Sequence, residues 1–153
     1  MTIERTITEN IAWESPMDGH QATLHLVIRE GETVEVGSND DVYMLLANFY
    51  QLLADDHSIS DGLVGFVIQT FGWAAPLDPD TGEETMPASE HPERRRVVLV
   101  ATLTINGYCS AMKFARSVPG AVVEETTFEE VPASGKLWDV MNTCLARIKE
   151  VAH

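Results

Sequence analysis

The feature that most constrains this fold is a pair of alternating apolar segments on either side of Asn106-Gly107. In residues 97–105 apolar side chains recur with a period of two, which is typical of a β-strand with a covered face. An Asn-Gly dipeptide favours a two-residue type I′ turn, because both central residues then adopt positive φ. The pattern therefore predicts a β-hairpin in which Ile105 faces Tyr108.

Further strands follow from the same periodicity. Residues 22–29 alternate and, after a turn at 30–32, return as a short strand over 33–36. Residues 62–76 are a nearly continuous apolar run, which predicts a central strand covered on both faces. Residues 121–130 predict a last strand.

Apolar residues spaced at i, i+3, i+4 and i+7 predict two helices. The first has Ser38 as its N-cap and a core-facing stripe that includes Leu52. The second has Ser134 as its N-cap and extends to Val151. Residues 1–14 are compatible with a helix, from isoleucines spaced four apart, or with a strand, from their β-branched content.

Together these elements predict an α+β fold in a single domain of residues 1–153. The sheet is mainly antiparallel, with five to six strands, and packs against two helices, or three if residues 1–14 form one. The predicted order is (α)ββ-α-β-loop-βββ-α. This order is similar to that of roadblock/profilin-like proteins with one strand added, and the similarity implies a homo-oligomer, a dimer through an edge strand or helix.

The predicted loop, at about 75–93, is long, acidic and rich in proline. Loops of this length inside a small domain are usually either functional or disordered. We therefore expect this one to be a recognition surface or a solvated insertion.

The net charge of −14 is unevenly distributed along the chain. Residues 1–93 hold 18 of the 24 acidic residues and two of the ten basic ones, whereas residues 94–116 hold five basic residues. An acidic chain with one short basic strip lacks the broad positive surface that phosphate-backbone binding requires, so we expect no direct binding of nucleic acid. The acidity serves solubility or presents carboxylates to a basic partner.

Cysteine usage and hydropathy predict a cytoplasmic protein. Cys109 and Cys144 form no spaced motif, which favours a reducing compartment. Residues 1–16 lack the basic and apolar regions of a signal peptide. The longest apolar run, 63–68, is too short to cross a bilayer, so no membrane association is expected.

Motifs for catalysis or metal binding are absent from the sequence. It has no phosphate-binding Gly-x-x-x-x-Gly-Lys-Ser/Thr loop, no dinucleotide fingerprint, no Gly-x-Ser-x-Gly elbow and no paired Cys-x-x-Cys or His-Glu-x-x-His ligands. We therefore expect no cofactor and no metal, and we assign no catalytic residue. An enzyme is not excluded, because catalytic groups often meet only in the folded chain.

The first candidate site is the segment that contains Glu90, His91 and Glu93. A histidine flanked by carboxylates can serve as a general base or as a pH switch. The alternative is structural, with the loop end fixed by ion pairs as it enters the next strand.

The second candidate is a cluster of bases. The predicted turn places Lys113 opposite Val100 and Arg116 opposite Val97, at the open end of the hairpin. A cluster there can hold a carboxylate or phosphate, and its members are Arg94, Arg95, Arg96, Lys113 and Arg116. Alternatively these bases pair with acids of the loop, namely Asp78, Asp80, Glu83 and Glu84.

The third candidate is Trp73, at the end of the predicted central strand and next to the acidic loop. An indole in this position can anchor a partner, because tryptophan is enriched at interface hot spots. Packing in the core is the alternative.

The block GWAAPLDPDTGEETMPASEHPERRRVVLVATLTINGYCSAMKFA, from Gly72 to Ala115, resembles a recurring block in small uncharacterised proteins of actinobacteria and their phages. There a Gly-Trp pair, an acidic Pro-rich loop and Ser-Glu-His-Pro-Asp/Glu-Arg precede a hairpin. No activity is attached to that block, so it transfers no catalytic residue. The resemblance implies an intracellular, actinobacterial or phage-encoded protein whose functional surface lies in 72–96.

Three functions remain open. The leading one is a non-enzymatic binding or regulatory protein that engages another protein through residues 73–96 and the hairpin base. The second is a phage-encoded inhibitor whose acidic body blocks a host defence or DNA-handling enzyme. The third is a small enzyme that uses His91 with Glu90 or Glu93.

Overall fold

The computed structural model describes residues 2–17, 19–55, 62–75, 78–83, 86–118, 121–129 and 135–151, although the side chains of residues 30, 74, 115–118, 121–124 and 151 lie outside that description. Helices α1, α2 and α3 are Ile3–Glu14, Val42–Asp55 and Lys136–Val151. The strands are β1 Ala22–Ile28, β2 Thr33–Asn39, β3 Leu63–Ala74, β4 Arg95–Thr104, β5 Gly107–Val118 and β6 Ala121–Glu129.

The strands form one sheet in the order β2-β1-β3-β4-β5-β6, and all neighbouring strands run antiparallel. The predicted α+β class is confirmed, with six strands in the described residues. Residues 3–14 form a helix, which settles the alternative between helix and strand at the start of the chain.

The sheet is covered on both faces, and alternation along each strand decides which side chain enters which core. One face packs against α2 and α3, and its core includes Phe66, Ile68 and Leu103. The other face packs against α1, and its core includes Val67 and Val100. Strand β3 contributes to both cores, so its predicted central position is confirmed.

Helix α1 combines apolar packing with buried polar contacts. Ile7 and Ala12 are buried against β4 and β5, and this packing outweighs the low helix propensity of its β-branched residues. The hydroxyl oxygen of Thr8 lies 2.7 Å from that of Thr102 in β4. At the end of the helix, Lys113 of β5 is 4% exposed and donates hydrogen bonds to the carbonyl oxygens of Ala12 (3.3 Å) and Ser15 (2.8 Å). Carbonyls at the C-terminal end of the helix stabilise a cation at this position, and that of Ala12 also accepts a hydrogen bond from the Ser15 amide at 3.3 Å.

The β4–β5 hairpin is present, but its predicted register is wrong by two residues. Thr104 pairs with Gly107, so Ile105 and Asn106 form the turn, and Gly107 belongs to β5 without positive φ. The hydroxyl of Thr104 accepts hydrogen bonds from the amides of Asn106 and Gly107, both at 3.1 Å, and this closes the turn one residue earlier. Because a shift of two preserves the alternation, each side chain still points to its predicted face.

The shifted register also moves the two bases on β5. Lys113 lies opposite Val98 in place of Val100. The pairing of β4 with β5 ends at Val97 and Phe114, so Arg116 is paired with Val123 of β6 and not with Val97.

The predicted boundaries of the helices also need correction. Strand β2 extends to Asn39, so Ser38 lies within it, and Asp41 caps α2 by accepting a hydrogen bond from the Tyr43 amide at 2.9 Å. Leu52, predicted to face the core, is 43% exposed. The predicted N-cap Ser134 lies outside the described residues, and α3 begins at Lys136.

We expect Lys113→Met to lower the free energy of unfolding by about 2 kcal/mol, because two buried carbonyls at the end of α1 lose a charged donor. Urea denaturation followed by circular dichroism measures this change. Lys149→Met, at an exposed position of α3, is the control and should change stability by less than about 0.5 kcal/mol. Equal stabilities of the two variants would contradict the structural role of Lys113.

Candidate functional site

The candidate site lies where β3 ends and β4 begins, and we call it the arginine end. It comprises Trp73, Arg94, Arg95, Arg96 and Phe114. Antiparallel pairing sets Trp73 directly opposite Arg96, so both side chains emerge on the face that α1 covers. Arg95 emerges on the opposite face, beside Phe114 of β5.

Each arginine of this end lies over an aromatic ring. The guanidinium carbons of Arg94 and Arg96 are 4.9 Å and 4.8 Å from the centroid of the Trp73 ring. That of Arg95 is 4.5 Å from the centroid of the Phe114 ring. These distances are typical of cation–π contacts, which hold a guanidinium in place while its N–H groups remain available as donors.

Arg96 also holds the segment between α1 and β1. Its Nε donates a hydrogen bond to the carbonyl oxygen of Met17 at 3.3 Å, and its Nη2 donates to that of Gly19. The Phe71 ring lies against Gly19 so closely that no Cβ would fit there. Arg96 is half-buried, and we assign it a structural part within the arginine end.

Arg94 and Arg95 are exposed, as is Trp73, at 39%. The backbone amide of Arg94 and its Nη1 both donate hydrogen bonds to the carbonyl oxygen of His91, at 3.2 Å and 3.1 Å. The guanidinium group of Arg94 is therefore held both by the ring of Trp73 and by the carbonyl of His91 in the preceding turn.

His91 belongs to that turn. Its Nδ1 accepts a hydrogen bond from the amide of Glu93 at 3.0 Å, and its own amide donates to the carbonyl oxygen of Ala88. Glu90 and Glu93 are exposed. The segment thus forms a short 3₁₀ turn, Ala88–Glu90, followed by the histidine, and it orients Arg94 at the start of β4.

The described acids of the loop do not pair with these arginines. Among the side chains that the structure describes, no carboxylate lies within 4.0 Å of Arg94, Arg95 or Arg96, and Glu84 lies outside the description. Asp78 instead accepts hydrogen bonds from the backbone amides of Asp80 and Thr81 and so closes its own turn. The guanidinium groups are therefore held by aromatic rings and backbone carbonyls.

The two other predicted bases are placed differently. Lys113 is buried at the end of α1 and does not reach the surface of the arginine end. Of Arg116 the structure describes the backbone pairing with Val123 but not the side chain. Phe114, which the sequence reasoning missed, joins the site because it follows Lys113 on the opposite face of β5.

Among the described residues, cavities also lie away from the arginine end. One, of about 350 Å³, lies between the β4–β5 turn and α3 and is lined by residues that include Tyr108, Asn142 and Lys149. Another, of about 230 Å³, lies between β2 and α2. Neither includes His91. Within the described ranges, no three His, Cys, Asp or Glu side chains are grouped as metal ligands would be, and no helix has both the length and the apolarity to span a membrane.

A half-buried histidine, His25, lies on the face of β1 that α1 covers. Burial lowers the pKa of His25, and the nearby Glu35 carboxylate partly opposes this shift. Between its lowered pKa and the ordinary value of 6.5, the unfolded chain binds more protons at this position than the folded chain does.

We therefore expect stability to fall as the pH decreases through 6.5, by at most about 1.4 kcal/mol per pH unit from this one group. His25→Gln should show a smaller decrease between about pH 7.5 and pH 5.5, as measured by urea denaturation. His20→Gln, at an exposed position, should follow the wild type. The same pH dependence in the His25 variant would show that another group is responsible.

Comparison with known proteins assigns no role to the arginine end. No family model, no curated protein and no solved structure matches this chain. Any role for this surface therefore follows from its own geometry and charge.

Proposed function

We propose that the protein is a non-enzymatic, cytoplasmic binding protein that recognises an acidic segment of a partner protein at the arginine end. The observation that supports this most is the stacking of three consecutive arginines on aromatic rings. Arg94 and Arg95 are the contacting residues, Trp73 is the apolar anchor on which Arg94 and Arg96 stack, and Arg96 holds the surface together.

The chemistry of the arginines favours carboxylates as the ligand. A guanidinium stacked on a ring keeps its planar fork of donors, which matches a carboxylate in two parallel hydrogen bonds. Stacking also reduces the side-chain entropy that an arginine loses on binding, because the group is already ordered. Arg94 is ordered further by its bonds to the His91 carbonyl.

The surroundings favour a protein over a nucleic acid. The net charge of −14 repels a polyanion over long distances, and two exposed arginines neutralise few phosphates. At physiological salt the repulsion is screened beyond about 8 Å, so a short acidic segment can still reach the guanidinium groups. The exposed Trp73 adds an apolar contact that a peptide side chain can cover.

The buried cysteines are consistent with a reducing compartment. Cys144 donates a hydrogen bond from Sγ to the carbonyl oxygen of Leu46, and burial raises its pKa to about 11. The thiol is therefore protonated and unreactive, which is consistent with a structural side chain in the core of a cytoplasmic protein.

A peptide array tests the proposal directly. It contains short peptides rich in Asp and Glu, each matched by a peptide with Asn and Gln at the same positions, and it is probed at about 0.15 M salt. We expect the wild type to retain acidic peptides and Arg94→Gln with Arg95→Gln to weaken this binding at least tenfold, which corresponds to about 1.4 kcal/mol.

The matched control is Lys136→Gln with Lys149→Gln, which changes the net charge by the same amount at two exposed positions. It should bind like the wild type. Equal losses of binding in both double variants would show that the effect comes from overall charge and not from the arginine end. Equal binding of the amide and acidic peptides would contradict recognition of carboxylates. Capture from a host lysate with the same pair of variants then identifies the partner.

A further inference from the structure

We infer a second binding surface, at the edge strand β2 and the adjacent side of α2, for an extended protein segment in which apolar residues alternate with lysine or arginine. We call it the β2–α2 groove. It shares no residue with the arginine end, so the inference does not depend on the function proposed above.

The backbone of β2 is available for pairing. The strand is outermost in the sheet and pairs with β1, and no described strand lies along its other side. An edge strand presents unpaired N–H and C=O groups, to which an extended peptide can add as a further strand. Backbone pairing of this kind supplies affinity, and pockets for alternate side chains supply specificity.

The groove beside this edge is mainly apolar, and its polar lining residues are Ser38, Asn39 and Asn48. Val34 and Val36 of β2 are exposed, as are Met44 and Leu52 of α2. Between strand and helix lies the cavity of about 230 Å³, which Val36 and Leu52 line together with core residues such as Leu24, Leu45 and Phe49. The side chains of an added strand that point toward α2 would enter this cavity.

A β-bulge shapes the groove. The β1–β2 register shifts between Leu24 and His25, so Leu24 pairs with Gly37 and His25 with Glu35, and Val36 has no opposite residue. The extra residue bends the strand locally. Val36 and Gly37 both line the cavity, and the glycine leaves space where a side chain would otherwise fill the groove.

The segment that contributes β2 and α2 to the groove carries only negative charges. Residues 32–55 contain five acids and no base; the acids are Glu32, Glu35, Asp40, Asp41 and Asp55. Lys136 of α3 lies 4.3 Å from the ring centroid of Tyr43, which does not line the cavity. An alternating strand with basic residues on its outer face therefore complements this surface.

The same charges argue against a second copy as the occupant. Pairing β2 with its own counterpart would bring two sets of these carboxylates together, and like charges on neighbouring strands are destabilising. Acidic residues on an edge strand are a common device against self-pairing. A basic partner removes this repulsion.

A titration followed by amide NMR tests the inference. The probes are synthetic peptides of about nine residues in which Val, Ile or Leu alternates with Lys or Arg, and a matched set with Glu at the basic positions. We expect members of the basic set to bind and to shift the amide resonances of residues 33–39. Leu52→Arg, which places a cation at the groove, should weaken this binding at least tenfold.

Tyr50→Arg is the matched control. Tyr50 lies on the same helix, is 40% exposed compared with 43% for Leu52, and does not line the cavity. Its variant carries the same added charge and should bind like the wild type. Equal weakening by both variants, binding of both peptide sets alike, or no binding by any basic peptide would overturn the inference. A dimer in the absence of peptide that Leu52→Arg dissociates would identify a second copy as the occupant and overturn it as well.

Discussion

The antiparallel ladder between β3 and β4 is the constraint on which the rest of the structure depends. It pairs ten consecutive residues, from Gly65 opposite Thr104 to Ala74 opposite Arg95. At its first pair the two backbones are so close that a Cβ on Gly65 would meet the carbonyl of Leu103. Because the period of a strand is two, this register assigns every side chain of the two central strands to the face covered by α1 or to the face covered by α2 and α3.

The same ladder creates the arginine end. Its far end sets Trp73 opposite Arg96, while Arg95 emerges on the opposite face and Arg94 immediately precedes β4. A slip of one residue would bring Arg95 to the indole and leave the loop carbonyls of Met17 and Gly19 without Arg96. The strand register that forms the hydrophobic core thus also orders the guanidinium groups, and no additional helix or strand is needed to position them.

The sequence allowed the fold class, the alternation and the central position of β3 to be predicted, because these depend on local periodicity. Three features could not be predicted, one because a local side-chain hydrogen bond overrides a turn preference and two because they depend on contacts distant in the chain. Thr104 closes the hairpin through its own hydroxyl, so the Asn-Gly rule placed the turn one residue too late. Lys113 is buried because carbonyls at the end of α1 need a donor. Stacking of Arg94 and Arg96 on Trp73 requires a register between strands that the long loop separates.

The central claim is that stacked arginines form a recognition surface for carboxylates. The most direct measurement is the NMR titration of a short acidic peptide, observed at the side-chain N–H resonances of tryptophan and arginine. We expect the indole of Trp73 and the Nε–H groups of Arg94 and Arg95 to shift most, while the indoles of Trp13 and Trp138 remain unchanged. Binding that leaves the Trp73 indole unmoved and shifts another tryptophan or the amides of α3 would contradict this claim.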